Sequence, residues 1–289
     1  MNALFQKIIA FFMSIAAFFS GLFGLNKKPE EPKPTQPVIE EAASLDLTGY
    51  TLYFEDQFSG NALDYSVWAD WNVGPKAYGF LAPSQISLQN GNLVLTSEYR
   101  QNGQFGAGWY GARICPRKWY IRGYYEIRCK VADGPVNCAF WLQSEWSITH
   151  EKSRGGPGGA EIDIMESYLW GDPKWHGAVC SNIHVNGSDD DPDNIESCGV
   201  GAFYVDHLYS DYHTFGLKWT ETEYIFYIDG KETARSSFAN GVSEIREFML
   251  VSVGLPPEDH DKSKKYDFLV DYVRIYQQGS ENYSIPNWN

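Results

Sequence analysis

The sequence predicts an all-β protein, a sandwich or a barrel, on three observations. Many short runs alternate apolar with polar residues or are apolar throughout. Turn signals built from Gly, Asn and Asp separate them. No long amphipathic helix appears after Thr48.

Taken in order, Tyr50–Phe58 opens the folded part. Asn90-Gly91 marks a turn, and Leu93, Val94 and Leu95 follow it as a strand. Tyr124–Lys130 alternates, with Tyr125, Ile127 and Cys129 on one face and Glu126, Arg128 and Lys130 on the other. Ala139–Gln143 is an apolar run containing Trp141, and Ala178–Val185 alternates again, placing Cys180, Asn182 and His184 together. Tyr224–Ile228 leads into Asp229-Gly230, the strongest hairpin signal in the chain. Phe248–Val253 and Phe268–Tyr276 complete the set.

At 289 residues, 43% hydrophobic and 16% aromatic, the chain has material for one sizeable core plus tails. Ten Trp and nineteen Tyr supply aromatic faces that pack cores and also stack on the C–H faces of sugars. The net charge of −14 argues against a nucleic-acid partner and, more weakly, against a heavily sulfated polysaccharide. Ile8–Leu25 is an almost unbroken apolar run flanked by Lys7, Lys27 and Lys28, so residues 1–25 are expected to be an export signal or an uncleaved membrane anchor. A Pro-rich linker is expected over 26–47, a catalytic β domain over 48–279 and a short tail over 280–289, with the bulk of the chain extracellular, secreted or held at the outer face of the membrane. Five cysteines without a C-x-x-C exclude a zinc ribbon. Cys180 and Cys198 either bridge the acidic loop between them or stay free and buried. That loop, Ser188–Asn194, lacks the spacing of a calcium-binding EF-hand and reads as solvated.

The chemistry concentrates in Glu161-Ile162-Asp163-Ile164-Met165-Glu166. On a regular strand Glu161 and Asp163 share a face and Glu166 takes the other. A one-residue bulge near Ile164 or Met165 brings Glu166 round, so that all three acids form one row. Packed like charges then push their proton affinities apart, as an acid/base paired with a nucleophile requires. Gly155–Gly159, just before this strand, is either a flexible turn or a site of close backbone approach.

This stretch resembles the catalytic signature of glycoside hydrolase family 16, the family of laminarinases, lichenases, agarases and carrageenases. The likeness extends over about Thr48–Gln278. It includes Arg113-Ile114, Gly123–Arg128, Ala139–Leu142, His213–Trp219, Tyr227–Gly230 and Asp271–Tyr276. It implies a jelly-roll sandwich of two curved antiparallel sheets with a concave cleft for a polysaccharide. Glu161 matches the nucleophile, Asp163 the helper acid that hydrogen-bonds it, and Glu166 the general acid/base. The extra Met165 matches the bulged form of the motif.

Trp141 is the candidate sugar platform, on a face shared with Gln143. Arg113 matches a position near the cleft. Asn182 and His184 are placed to hydrogen-bond a sugar or the acids, and Trp146, Trp170 and Trp175 are candidates for the rims. Asp271, read on one face with Leu269, Val273 and Ile275, needs a partner there. That partner is either a buried ion pair, with Arg274 or a Lys, or the structural calcium that the resemblance implies, with the Gly91 carbonyl and, more loosely, Glu55 as further ligands. No cofactor is expected for catalysis. The resemblance implies a retaining endo-acting hydrolase working as a monomer, first on β-1,3- or β-1,3-1,4-glucan, second on a β-galactoside polymer or host glycan. A transglycosylase shares the same acids. A non-catalytic carbohydrate-binding module shares the sandwich but has no need of three adjacent acids. The Asn-x-His pair at 182–184 departs from the laminarinase pattern toward the galactan-cleaving branches.

Overall fold

The computed structural model describes residues 44–144, 156–185, 196–238, 241–257 and 260–285. All of them belong to the compact unit Ile39–Asn289. The apolar N-terminal run, most of the Pro-rich stretch, Trp146, Gly155 and the acidic loop at 188–194 lie outside the described residues.

In chain order the strands are β1 (Tyr50–Asp56), β2 (Trp68–Asp70), β3 (Gly74–Lys76), β4 (Gly79–Leu81), β5 (Ile86–Gln89), β6 (Asn92–Gly103), β7 (Gly106–Pro116), β8 (Trp119–Tyr120), β9 (Gly123–Lys130) and β10 (Cys138–Ser144). They continue with β11 (Glu161–Glu166), β12 (Ala178–Val185), β13 (Glu196–Tyr204), β14 (His213–Trp219), β15 (Tyr224–Ile228), β16 (Lys231–Ser236), β17 (Glu247–Val253), β18 (Lys265–Gln278) and β19 (Tyr283–Ser284). One layer runs β16-β15-β14-β9-β18, beyond which β18 pairs with β6 and then with β1. The other runs β13-β12-β11-β10-β17-β7-β2. The long β7 pairs into both layers and joins them along one edge. Apart from the short parallel β4–β7 contact, the pairings are antiparallel, and the all-β sandwich expected from the sequence is the fold.

The period-2 patterns explain which side chains meet between the layers. Tyr125, Ile127 and Cys129 of β9, with Val270, Val273 and Ile275 of β18, face Phe140 and Leu142 of β10, Ile162 and Met165 of β11, and Met249, Val251 and Val253 of β17. Each large side chain buried there contributes about 1.5–3 kcal/mol. A second apolar cluster lies on the open face of the second layer: Ala69, Cys115, Trp119, Ala139, Trp141, Phe248 and Leu250. On the outer face of the first layer, Leu45 and Leu47 pack against Tyr124, Ile225 and Tyr227, and Ser44 bridges to Lys231.

Two expectations are corrected by register. A shift between Val270 and Tyr272 puts a bulge at Asp271, which removes it from the face of Val273 and Ile275. Its half-exposed carboxylate pairs with Arg128, while Glu55 pairs with Arg274 at 2.7 Å. Gly91 sits in its turn at φ +74°. With both carboxylates already neutralised by guanidinium groups, this donor set does not fit a structural calcium. The melting temperature is accordingly expected to be equal in excess calcium and in chelator; a calcium-dependent rise in thermal unfolding would show that the ion displaces Arg128. Cys180 pairs with Ala202, whereas Cys198 pairs with Ile183, because β12 and β13 slip by one residue between Ser181 and Asn182. The two thiols therefore point to opposite faces, and all five cysteines are free.

Candidate active site

The bulge is where the sequence places it. Across from β10, Phe140 pairs with Met165 and Trp141 with Asp163, leaving Ile164 unmatched. Across from β12, Asp163 pairs with Asn182 and Glu166 with Cys180, so two residues of β11 stand opposite Ser181. The Ser181 hydroxyl donates to the Ile164 carbonyl at 2.8 Å and satisfies the group that the bulge leaves off the ladder. Ile164 and Met165 both turn into the core, and Glu166 rejoins Glu161 and Asp163 on the open face. Gly159, at φ +74°, leads into this strand; a Cβ there would lie 2.4 Å from the Ser144 Cβ, so the close approach requires glycine.

Glu166 is held by two amides. Asn137 Nδ2 donates to Oε1 and Asn182 Nδ2 to Oε2, each at 2.9 Å. The Asn137 carbonyl oxygen in turn accepts from the Ser167 N–H at 3.0 Å, which fixes the direction of its amide. Burial, and then the charge of Asp163, push the Glu166 carboxyl up to about 8 against the pull of the two amides. Glu161 accepts from Gln143 Nε2 at 3.3 Å. Burial and Asp163 raise it to about 7, opposed by His184, Arg113 and Gln143.

Asp163 is 3% exposed, and its Oδ2 lies 3.1 Å from His184 Nε2. His184 Nδ1 meets Ser197 Oγ at 2.6 Å on β13. Burial works against the imidazolium, but the hydrogen bond and charge of Asp163, with the charges of Glu161 and Glu166, outweigh it and raise His184 to about 9. Among the described residues, Glu161, Asp163 and His184 are the one group with donor atoms close enough to hold a metal, within 4.8 Å of one another. Both ring nitrogens of His184 already face partners, Nε2 toward Asp163 and Nδ1 toward Ser197.

The predicted Trp141 shares the acid face but is only 8% exposed. Its Nε1 donates to Ser252 Oγ at 3.1 Å, and the Arg113 guanidinium lies 4.9 Å from its ring centroid. It forms the cleft floor beneath Arg113. Trp71, partly buried, packs on the same cluster through Phe248. Asn182 and His184 reach the acids themselves. Trp170 stands apart, with Nε1 donating to Asp133 and its ring edge-on to His176, and Trp175 stacks on Tyr204. Asn137 is the site residue that sequence reasoning passed over; it directly precedes β10, whose Ala139 pairs with Glu166.

An antiparallel sandwich with a row of three carboxylates across one open sheet, two of them raised to different degrees, defines a glycoside hydrolase architecture. Residues 52–278 match the family model described as beta-porphyranase A-D, GH16 domain, and the chain belongs to that family, within glycoside hydrolase family 16. It is 26% identical over 247 residues to a beta-glucanase of Acetivibrio thermocellus, covering 83% of this chain and 66% of that protein. It is 30% identical over 127 residues to beta-porphyranase D of Zobellia galactanivorans, covering 39% of this chain and 29% of that one. The chain thus spans about two thirds of the length of the first relative and less of the second. Among solved structures, porphyranase B of Zobellia galactanivorans superposes with a TM-score of 0.63 at 22% identity, covering 79% of this chain and 92% of that one. The laminarinase catalytic domain of Thermotoga maritima gives 0.62 at 20%, covering 80% and 99%. These two likenesses are of fold.

Proposed function

We propose that this protein is a retaining, endo-acting glycoside hydrolase that cuts internal β-linkages of a polysaccharide by double displacement. The observation that carries the reading is the bulge that returns Glu166 to the face of Glu161. Glu166 donates that proton to the glycosidic oxygen as the Glu161 carboxylate attacks the anomeric carbon, and the leaving chain departs as an alcohol. The sugar is then an ester of Glu161. Glu166, now a carboxylate, takes a proton from water, whose oxygen attacks the same carbon and releases Glu161. Asp163, paired with His184, stays beside Glu161 to hold its orientation through both steps. Two inversions give net retention of the β configuration, and proton NMR of freshly formed product tests this: an initial α anomer would require a single displacement.

For the substrate, β-1,3- or β-1,3-1,4-glucan is the first reading, supported by the beta-glucanase relative. A sulfated β-galactan is the second, supported by the matching family and by one feature of the cleft. Arg113 lies over the Trp141 ring and within charge range of Glu161, and its Nε has no hydrogen-bond partner among the described residues. An arginine on a catalytic face with a donor left to bond is suited to an anionic substituent or a ring hydroxyl. Assays on laminarin, barley β-glucan, porphyran, agarose, carrageenan and mucin glycans separate the two. Arg113→Met is expected to lower turnover on porphyran by ~10-fold or more if sulfate is its ligand, and to act on laminarin mainly through lost packing on Trp141. The same proposal puts the activity outside the cytoplasm, either tethered or released, a reading that the apolar N-terminal run supports.

A further inference from the structure

Glu247 is a fully buried acid that the chemistry above does not use. It opens β17, opposite Ser144 on β10 and Tyr120 on β8. Its parity is that of Met249, Val251 and Val253, so its side chain enters the space between the two layers and is 1% exposed. There Oε1 accepts the backbone N–H of Ala160, the residue before Glu161, at 3.0 Å. The Ala160 carbonyl in turn accepts from the Ser144 N–H at 3.0 Å. Ala160 is therefore pinned on both sides where the acid-bearing strand begins: by the β10 backbone through its carbonyl and by the Glu247 carboxyl through its amide. Among the described residues no strand carbonyl meets that amide, and the carboxyl oxygen takes the place of one.

The carboxyl also lies beside a segment held by the other layer. Ser243 sits next to it, and the Ser243 backbone is itself clamped. Its N–H donates to Tyr224 Oη at 2.6 Å, and its carbonyl accepts from Trp219 Nε1 at 3.2 Å. Tyr224 and Trp219 belong to β15 and β14. Hydrogen bonds from the first layer thus fix Ser243 beside Glu247, and the Glu247 carboxyl holds the residue that precedes Glu161.

We propose that Glu247 is a positioning residue: it sets where β11 begins in the cleft, and with it the placement of Glu161 against Gln143, Arg113 and His184. The proposal rests on the reading of Glu161 as nucleophile but makes a separate claim about what places it. The groups facing the Glu247 carboxyl are the Ser243 hydroxyl, the Ala160 amide, the phenols of Tyr125 and Tyr224, and the charge of Glu161. Burial outweighs the hydrogen bonds and raises Glu247 to about 8, so at neutral pH it acts as an uncharged carboxyl. An uncharged carboxamide of the same shape can then replace it.

The test follows the titration of Glu161 by 13C NMR of protein labelled at the glutamate carboxyls, with the Glu161 signal assigned by its loss in Glu161→Gln. Glu247→Leu fills the space but leaves the Ala160 amide without an acceptor. The Glu161 midpoint is expected to rise by ~0.5 pH unit or more as its three opposing partners loosen, and Glu247→Gln is expected to restore it. On the polysaccharide the wild type cleaves, Glu247→Leu is expected to lower kcat by ~10-fold with KM within ~2-fold, as for a residue acting on the reacting group rather than on binding. A Glu161 midpoint in folded Glu247→Leu that stays within ~0.2 unit of wild type, or falls, overturns the proposal. If Glu247→Leu does not fold, Glu247→Asp, whose shorter side chain withdraws the carboxyl from Ala160, is judged by the same midpoint. Retained turnover in Glu161→Gln would remove the nucleophile while leaving the NMR result to decide on placement.

Discussion

Glu161→Gln and Glu166→Gln each bring polysaccharide turnover close to zero while the protein stays folded and still binds its substrate. A carboxamide in place of the Glu161 carboxylate cannot form the glycosyl ester, and the loss expected is ~10⁴-fold or more in kcat, on the scale seen when a nucleophile is removed. A carboxamide in place of the Glu166 carboxyl cannot protonate the leaving oxygen or activate water, with an expected loss of ~10²–10⁴-fold. Both changes are nearly isosteric, and the cost of turning the new 166 amide toward an asparagine donor is local, so the variants are expected to stay folded. Stability moves the other way. In the folded state Glu166 keeps its proton to about 8, whereas in the unfolded chain it ionises near the ordinary glutamate value of 4.5. Below that value both states are protonated and the group contributes nothing to the difference. As pH rises toward 8 the unfolded chain gains by ionising first, and the native state loses stability. Glu166→Gln removes this penalty, so its melting temperature relative to wild type is expected to rise by about 2–4 °C between pH 4 and pH 8–9. Wild-type-like turnover in either glutamine variant would end the double-displacement reading.

How much of this site a single sequence discloses depends on where register is decided. The acid row is legible because the E-x-D-x-x-E spacing is one residue out of step with a strand, and the large apolar residues between the acids have a core to enter when a bulge corrects it. The pairing of Asn182 and His184 with the acids is legible because the strand carrying them follows next in the chain and alternates cleanly. The face of Asp271 and the orientation of Cys198 escape the sequence for one shared reason: a one-residue slip, at Asp271 in β18 and at Val200 in β13, reassigns the faces. No local residue pattern distinguishes those slips from a regular strand. Asn137 and Glu247 are invisible for another reason. Their partners lie 29 and 87 residues away, and only the sheet order brings them together. Glu247 also opens an otherwise apolar run, Phe248–Val253, where an acid reads as a solvated strand end.

Replacing His184 with glutamine is expected to displace the pH–rate profile toward alkali. The profile should be bell-shaped, because turnover needs Glu161 ionised and Glu166 protonated, and the raised values of about 7 and about 8 place its limbs close together. These limbs belong to the coupled group of acids and histidine as a whole. His184, raised to about 9, is cationic across the whole working range and lowers the proton affinity of both glutamates. The neutral glutamine keeps a donor toward Asp163 but removes that charge. Glu161 then stays protonated to higher pH, and the acidic limb is expected to move up by ~1 unit. At pH 6, on the falling side, this gives ~10-fold less kcat/KM than wild type, with a much smaller difference near pH 8. The alkaline limb rises in the same direction, since Glu166 loses the same opposing charge. Stability changes with the opposite sign from that of Glu166→Gln. The raised His184 stabilises the wild-type fold fully below about 6.5 and loses that contribution as pH climbs through about 9. The glutamine variant should therefore be the weaker protein at pH 6 and converge on wild type above pH 9. An acidic limb that stays in place after the substitution would mean that Arg113 and Gln143 keep Glu161 ionised without the imidazolium.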